Sequence, residues 1–180
     1  MSQNNVILSM EGIYKEFPGV IANNHVDISI KEGEIHALVG ENGAGKTTLM
    51  NIAAGIYKPD EGEIYVDGEK RIFNSALDAF RCGISAVHQD FMLVNTLTVL
   101  DNIVLGFEPR YLLGFLNYQE SRRKIKQLIK KYGMDIPINA IVGTLPVAIR
   151  QHVEILKALY KNTRILILER SRRKNSSLLL

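Results

Sequence analysis

One glycine-rich segment of the chain has residue types and spacing that suit phosphate chemistry, Gly40-Glu41-Asn42-Gly43-Ala44-Gly45-Lys46-Thr47. Its glycines allow the backbone to curl until successive N–H groups point into one concavity, which favours an anion. Lys46 brings a formal positive charge to the terminal phosphates, and the Thr47 hydroxyl beside it is a ligand that Mg²⁺ accepts. The spacing G-x-x-x-x-G-K-T therefore predicts a phosphate-binding loop for ATP or GTP with magnesium.

Such a loop needs a strand before it and a helix after it. The short apolar run 34–39 predicts a buried strand that ends at Gly40, and residues 46–55 predict a helix. The N-terminus of that helix adds its partial positive charge to the concavity, so the flanking elements support the motif.

Further strands are predicted on both sides of this segment. Val26, Ile28 and Ile30 alternate with polar residues, which predicts a strand with one buried face. Residues 64–66 followed by Asp67-Gly68 predict a strand that enters a hairpin turn. The runs 84–88 and 165–168 predict two more strands, the second of them buried on both faces.

Helices are predicted in the middle of the chain. Three segments place a capping oxygen three residues before an acid and so predict helix starts: Ser75-x-x-Asp78, Thr98-x-x-Asp101 and Asn117-x-x-Glu120. The third opens a helix that Gly133 ends, with an apolar stripe of Ile125, Leu128, Ile129 and Tyr132. A further helix is predicted over 147–160, with Leu156, Leu159 and Tyr160 on its inner side.

Composition is ordinary for a globular protein, with 46% hydrophobic and 23% charged residues. The single cysteine, Cys82, excludes an internal disulfide and is expected to be a buried structural thiol. Neither a signal peptide nor an apolar run of membrane-spanning length is found, which predicts a cytoplasmic protein.

The positive net charge of +3 comes from one end of the chain. The last eleven residues hold four bases and no acids, which leaves 18 basic against 19 acidic residues elsewhere. No basic face is implied, and a nucleic-acid partner is not expected. The segment 169–180 has no apolar periodicity and is predicted to be a disordered tail.

Several other motifs occur in a fixed order along the chain, at 17–20, 33–38, 87–89, 91–94, 97–99, 145–147 and 153–159. Together with the phosphate loop, continued through Thr48, they resemble the ATP-binding subunits of ABC transporters of the sugar and nucleoside importer type. The resemblance covers residues 6 to about 168. It implies an α/β P-loop NTPase core with an antiparallel β subdomain and a helical subdomain at about 90–160.

The resemblance also implies roles for individual residues. Phe17 stands where such proteins stack an aromatic ring on adenine, with a core phenylalanine as the structural alternative and Tyr14 as the other candidate. Gln89 stands where a glutamine reaches Mg²⁺ and the attacking water. Residues 91 to about 114 would form the surface that docks on membrane-embedded permease subunits.

The chain departs from the family pattern at two points. Ala148, in the segment 145–150, stands where the family has a glycine near the γ-phosphate bound by the opposite subunit, and its methyl group is expected to weaken that site. After the run 165–168 the family has an Asp that orients the magnesium water and then a Glu that acts as general base. Here Glu169 and Arg170 follow, and a guanidinium cannot accept a proton.

Loss of the general base predicts slow hydrolysis, by roughly 10²- to 10⁴-fold. The histidine switch and second ATPase half that the family has further on are also absent, so a truncated or frameshifted reading of a longer gene is one hypothesis for the aberrant tail. The leading functional prediction is the ATPase subunit of an importer at the inner face of the cell membrane, paired head to tail with a second ATPase domain or a homodimer partner. Alternatives are a non-hydrolysing decoy module, a ribosome-associated ABC-type protein and a small-molecule kinase.

Overall fold

The computed structural model describes residues 5–87, 92–107 and 118–168. The chain divides into two compact units, residues 1–85 and 86–180. Within the described ranges, none of the helices combines the length and apolar character that crossing a bilayer demands.

The first unit contains an antiparallel sheet of four strands in the order β2-β1-β3-β4. The strands are β1 (Val6–Phe17), β2 (Val20–Lys31), β3 (Glu61–Val66) and β4 (Glu69–Arg71). The predicted hairpin is confirmed, because Asp67 and Gly68 both have positive φ, 53° and 76°, as a two-residue turn of type I′ requires. The buried apolar residues of β1 and β3, among them Met10, Ile13 and Ile64, form the apolar face of this sheet.

Helix α1 (Lys46–Ala53) contacts β1 and β2 of that sheet and buries Leu49, Ile52 and Ala53. It ends two residues earlier than the sequence predicts. Helix α2 (Ala76–Arg81) and strand β5 (Ile84–Val87) follow β4, and residue 88, the end of the predicted strand, lies outside the described residues. Cys82 is half-buried and not fully buried as expected.

The second unit is mainly helical, with α3 (Val99–Val104), α4 (Tyr118–Tyr132), a 3-10 turn (Val142–Thr144) and α5 (Val147–Tyr160). Its core joins apolar residues from all three helices, including Ile103, Ile125 and Leu156, which have no exposed surface. The α5 boundaries match the prediction. On α4 the predicted stripe is buried at Ile125, but Tyr132 is exposed. The predicted cap at 117 lies outside the described residues.

Strand β6 (Ile165–Leu168) pairs with β5 in a separate two-stranded sheet. The prediction that this strand is buried on both faces is wrong at its end, because Ile165 and Ile167 are buried whereas Leu168 is 57% exposed. A strand in a two-stranded sheet has only one neighbour and therefore less cover than the centre of a wide parallel sheet.

The predicted buried strand at 34–39 is also wrong. These residues have no strand geometry, and Ile35 is 98% and Val39 77% exposed. A strand needs a neighbour for its N–H and C=O groups, and among the described residues none pairs with this segment. Local bonds replace that neighbour at its start, where the Glu34 carboxylate accepts from the Lys31 N–H at 2.9 Å and contacts the His36 ring at 3.0 Å.

Candidate phosphate-binding site

The glycine-rich segment forms an exposed loop whose conformation only glycine adopts easily. Gly43 and Gly45 have φ of 84° and 75°, which is the left-handed region that costs other residues energy. Residues 40–44 are exposed. A backbone curled in this way directs N–H groups outward as an anion-binding concavity.

Close packing against β2 is a second feature that requires glycine at position 45. A Cβ built on Gly45 would lie 1.9 Å from the carbonyl oxygen of Ala22 in β2. The backbone of the loop thus rests directly on strand β2. A side chain larger than that of glycine would prevent this close approach of the loop to β2.

A buried side chain next to this contact holds the loop in place. Asn23, which is 5% exposed, donates from Nδ2 to the carbonyl oxygen of Gly45 at 3.2 Å. Asn23 is not among the site residues predicted from the sequence. The available signal was a polar residue within a strand whose later positions alternate apolar and polar.

Helix α1 begins immediately after the loop, with Gly45 as its N-cap. Leu49 N donates to the Gly45 carbonyl at 2.9 Å, which is the first bond of the helix. In the described structure this end has neither a side-chain cap nor an acidic residue in its first turn. The positive end of the helix dipole therefore faces the loop without local compensation by an acid.

Lys46 bends over the loop that precedes it. Its Nζ donates to the carbonyl oxygens of Gly40, at 2.8 Å, and of Glu41. These two bonds account for two of the three hydrogens of the ammonium group. The formal positive charge is thus held beside the loop.

Thr47 and Thr48 lie in the first turn of α1, and Thr47 is exposed. Among the residues that the structure describes, no three His, Cys, Asp or Glu side chains are grouped to hold a metal ion. Mg²⁺ usually needs one or two protein oxygens and completes its shell with water and phosphate oxygens. The Thr47 hydroxyl beside Lys46 therefore fits Mg²⁺ delivered with a nucleotide.

The candidate base-stacking residue, Phe17, lies at the tip of the β1–β2 hairpin, opposite Val20. It is half-buried, and its ring meets the Tyr57 ring edge to face at 5.6 Å between centroids and 71° between planes. Tyr14 lies on the same strand but contacts the His25 ring at 5.3 Å and donates to Glu16 at 3.1 Å. Phe17 is thus the candidate nearer the open tip.

Strand register connects this tip with the phosphate loop. Phe17 pairs with Val20 and Lys15 with Asn23, and Asn23 bonds to Gly45. Two residues of strand separate the two pairs, about 7 Å at roughly 3.3 Å per residue. One β-hairpin therefore carries both the aromatic ring and the residue that supports the phosphate loop.

The segment 145–150 forms the start of α5 in the second unit, with Pro146 as N-cap. Val147 is 57% exposed and Ala148 is exposed as well. The segment presents a helix N-terminus to its surroundings, a position that favours a negatively charged group.

Three predicted site residues, Gln89, Glu169 and Arg170, lie outside the described residues, and so does the tail 171–180. Of the expected docking segment 91–114, residues 92–107 are described. Four of their apolar side chains are exposed: Met92, Val94, Leu105 and Phe107.

The chain is similar in sequence to a known protein family and to import ATP-binding proteins. The family profile described as ABC transporter matches residues 23–169. The chain is 45% identical over 163 residues to the guanosine import ATP-binding protein NupO of Bacillus subtilis and 47% identical to the ribose import ATP-binding protein RbsA 1 of Burkholderia thailandensis. Each alignment covers 91% of this chain and 32% of the relative, so the chain spans about a third of their length.

Solved structures agree with the sequence matches. A nucleotide-free ATP-binding cassette from an ABC transporter superposes with a TM-score of 0.77 at 27% identity, over 91% of this chain and 68% of that one. A dimeric ATP-binding cassette in a post-hydrolysis state, bound to ADP and Pi, superposes with a TM-score of 0.73 at 28% identity, over 89% of this chain and 72% of that one. The α/β P-loop fold of an ABC ATPase, with antiparallel sheet and helices, is therefore confirmed.

Proposed function

The chain belongs to the ABC transporter family, and from this premise we propose that it binds Mg·ATP as the energy-coupling subunit of an importer for a sugar or nucleoside. One observation carries the proposal. Lys46, the start of α1 and the left-handed glycines converge on one exposed concavity that β2 supports through Asn23. This set of groups favours a polyphosphate over other ligands.

In this proposal, different residues bind the phosphates, the Mg²⁺ ion and the adenine base. Backbone N–H groups of 40–48 would surround the β- and γ-phosphates, and Lys46 would neutralise their charge. Thr47, together with Gln89, would hold Mg²⁺, which supplies charge neutralisation to the phosphates when bound. Phe17 would stack on adenine through its π face, a contact that does not read the edges of the base.

Hydrolysis is proposed to be slow. Glu169 retains a carboxylate one methylene further out than the Asp of the family, and Arg170 replaces the general base. Ala148 adds a methyl group where the opposite subunit's phosphate would approach. These replacements favour, as a second candidate, a non-hydrolysing nucleotide-binding module that occupies a partner's site without turnover.

Partners follow from the relatives. Their names describe import of guanosine, ribose and related solutes, and one similar cassette is a dimer. We propose a second ATPase domain or a second copy arranged head to tail, and permease subunits contacted through the segment 91–114 at the inner face of the membrane. The ATP-binding domain would comprise 6–168, with a helical subdomain at about 90–160.

Thermal unfolding with and without Mg·ATP tests the binding proposal. At 100 times Kd the ligand adds about 2.7 kcal/mol to the free energy of unfolding, which raises Tm by several degrees for a chain of this size. Lys46→Ala should remove most of this increase. Lys126→Ala, which removes an exposed lysine on α4, should leave it intact. A folded wild type that responds no more than Lys46→Ala would contradict the proposal.

Phosphate release tests whether Arg170 accounts for the proposed slow hydrolysis. The wild type should release phosphate from ATP at a rate close to background, and Arg170→Glu should raise that rate by supplying a proton acceptor. Arg170→Gln is the matched control, because it removes the guanidinium without adding a base. Equal, fast hydrolysis by wild type and both variants would reject the loss of the general base as a functional feature.

A further inference from the structure

The ring of Phe17 contacts two side chains of the first unit, Tyr57 and Lys15. The Tyr57 ring meets it edge to face at 5.6 Å, and Lys15 Nζ lies 5.5 Å from its centroid. An edge-to-face pair is a preferred aromatic geometry, and a cation at this distance from a ring is attracted to its face. These contacts restrict the ring while leaving it half-exposed.

Tyr57 owes its position to the helix that begins at the phosphate loop. After α1 ends, Gly55 turns the chain with φ of 70°. The N–H groups of Ile56 and Tyr57 then both donate to the Asn51 carbonyl oxygen, at 2.8 and 3.2 Å. The same helix therefore places Lys46 at its N-terminus and Tyr57 just beyond its C-terminus.

Asp60 fixes the strand that carries Phe17. Its carboxylate accepts from Lys15 Nζ at 2.7 Å and from the Glu16 N–H at 2.9 Å, and its own N–H donates to the Tyr14 carbonyl at 2.9 Å. These bonds join the segment after α1 to the last residues of β1. The positions of the Phe17 backbone and of the Tyr57 ring are thereby linked.

We infer that Tyr57 is a positioning residue for nucleobase binding: it holds the half-exposed Phe17 ring in the orientation that stacks on an aromatic base. The inference deepens the proposed function and rests on it. Tyr57 acts through Phe17 and not through the phosphates. Its loss therefore weakens binding of nucleotides and leaves binding of a polyphosphate without a base unchanged.

A double-mutant cycle measures this coupling. Affinity for Mg·ATP is compared with affinity for magnesium tripolyphosphate in wild type, Tyr57→Ala, Phe17→Ala and the double variant. Tyr57→Ala should weaken ATP binding roughly 2- to 12-fold, the range of an aromatic pair. In the Phe17→Ala background the same change should have no further effect, and tripolyphosphate affinity should be the same in all four proteins.

Two further variants keep the result interpretable. Tyr57→Phe retains the ring and should bind ATP within about 2-fold of wild type, whereas Tyr57→Leu retains apolar bulk without a ring and should resemble Tyr57→Ala. Tyr132→Ala removes an exposed tyrosine from α4 and is the matched control. An equal loss of ATP and tripolyphosphate affinity, or an undiminished effect in the Phe17→Ala background, would overturn the inference.

Tryptophan fluorescence tests, without nucleotide, whether Tyr57 positions the ring at residue 17. The chain has no tryptophan, so Phe17→Trp introduces a single reporter at the tip. Its fluorescence anisotropy should fall when Tyr57→Ala is added and persist with Tyr57→Phe; unchanged anisotropy in Tyr57→Ala would overturn the inference. Failure of the proposed function itself would give a different result. ATP would then not quench the tryptophan, and the protein with an intact Lys46 would bind ATP no more tightly than Lys46→Ala does.

Discussion

Asn23 Nδ2 donates to the carbonyl oxygen of Gly45 at 3.2 Å, while the Oδ1 atom of the same side chain is buried with no hydrogen-bond partner in the described structure. The amide thus connects β2 to the phosphate loop at the expense of one unsatisfied acceptor. An unsatisfied buried acceptor costs about 1–3 kcal/mol, and the bond that is formed contributes about 0.5–1.5 kcal/mol. Asn23 is therefore better explained by positioning of the loop than by stability.

Asn23→Leu is expected to leave the free energy of unfolding unchanged or to raise it by about 1 kcal/mol, because it removes the unsatisfied oxygen. The Gly45 carbonyl retains its bond from Leu49 N. Asn23→Asp should lower stability by about 2 kcal/mol or more, since it buries a carboxylate that cannot donate. Urea denaturation measures both. A loss in Asn23→Leu as large as in Asn23→Asp would contradict this account.

Gly45→Ala should be far more damaging than Gly43→Ala. Both residues have positive φ, which costs an alanine about 1–2 kcal/mol. At Gly45 the new Cβ would also lie 1.9 Å from Ala22 O, whereas at Gly43 it would meet no atom within 4 Å. We expect a loss of about 1 kcal/mol in Gly43→Ala and at least 3 kcal/mol in Gly45→Ala, from chemical denaturation. Equal losses would show that β2 moves to accept the methyl group.

Local signals in the sequence predict much of this fold. The Asp67-Gly68 turn, helix α5 and the cap at Thr98 depend on residues close in sequence, and each occurs where it is predicted. The loop itself is equally local, since its glycines and Lys46 lie within eight residues.

The predictions that fail, and the residues that were missed, depend on distant contacts. Apolar character at 34–39 indicates burial only if another strand supplies a partner, and the described residues provide none. Asn23 and Tyr57 lie 22 and 40 residues from the groups they contact. A polar residue within a strand singles out Asn23, but neither periodicity nor spacing indicates which group it or Tyr57 contacts. Sequence thus predicts the chemistry of the loop but not the residues that support it.

The two predicted helix caps that the structure describes, Ser75 and Thr98, differ in their hydrogen bonds. Thr98 Oγ1 accepts from the Asp101 N–H at 3.1 Å and caps α3, whereas Ser75 makes no such bond at the start of α2. Instead the Asp78 carboxylate accepts from the Asn74 N–H at 3.0 Å.

Thr98→Ala should therefore cost about 1 kcal/mol of stability, a typical value for a lost cap. Ser75→Ala removes only a bond from its hydroxyl to Asp78 and should cost less than about 0.5 kcal/mol. Thermal or urea unfolding of the two variants provides the comparison. Equal costs, as the sequence pattern alone predicts, would contradict the bonding seen in the structure.

Asp60 should make the stability of the fold depend on pH in the acid range. The Glu16 N–H, and then Lys15, hold the pKa of this carboxyl below its ordinary value of 3.8. Because the folded pKa is lower than the unfolded one, the carboxylate stabilises the fold fully above the unfolded value and loses this effect as pH falls through the folded pKa. The difference in free energy of unfolding between wild type and Asp60→Asn should thus be constant from neutral pH to about 5 and shrink below about 4.

Denaturation at several pH values isolates this contribution. Glu34 and Glu63 also have lowered pKa values, through His36 and Lys70 respectively, but they are common to wild type and variant and cancel in the difference. Lys15→Gln is the matched control: it should reduce the pH dependence without abolishing it, because the Glu16 N–H, the largest single cause of the shift, is retained. The contrary result is that the free energies of unfolding of wild type and Asp60→Asn fall in parallel down to a pH of about 3. That result would show that the ionised Asp60 carboxylate does not stabilise the end of β1.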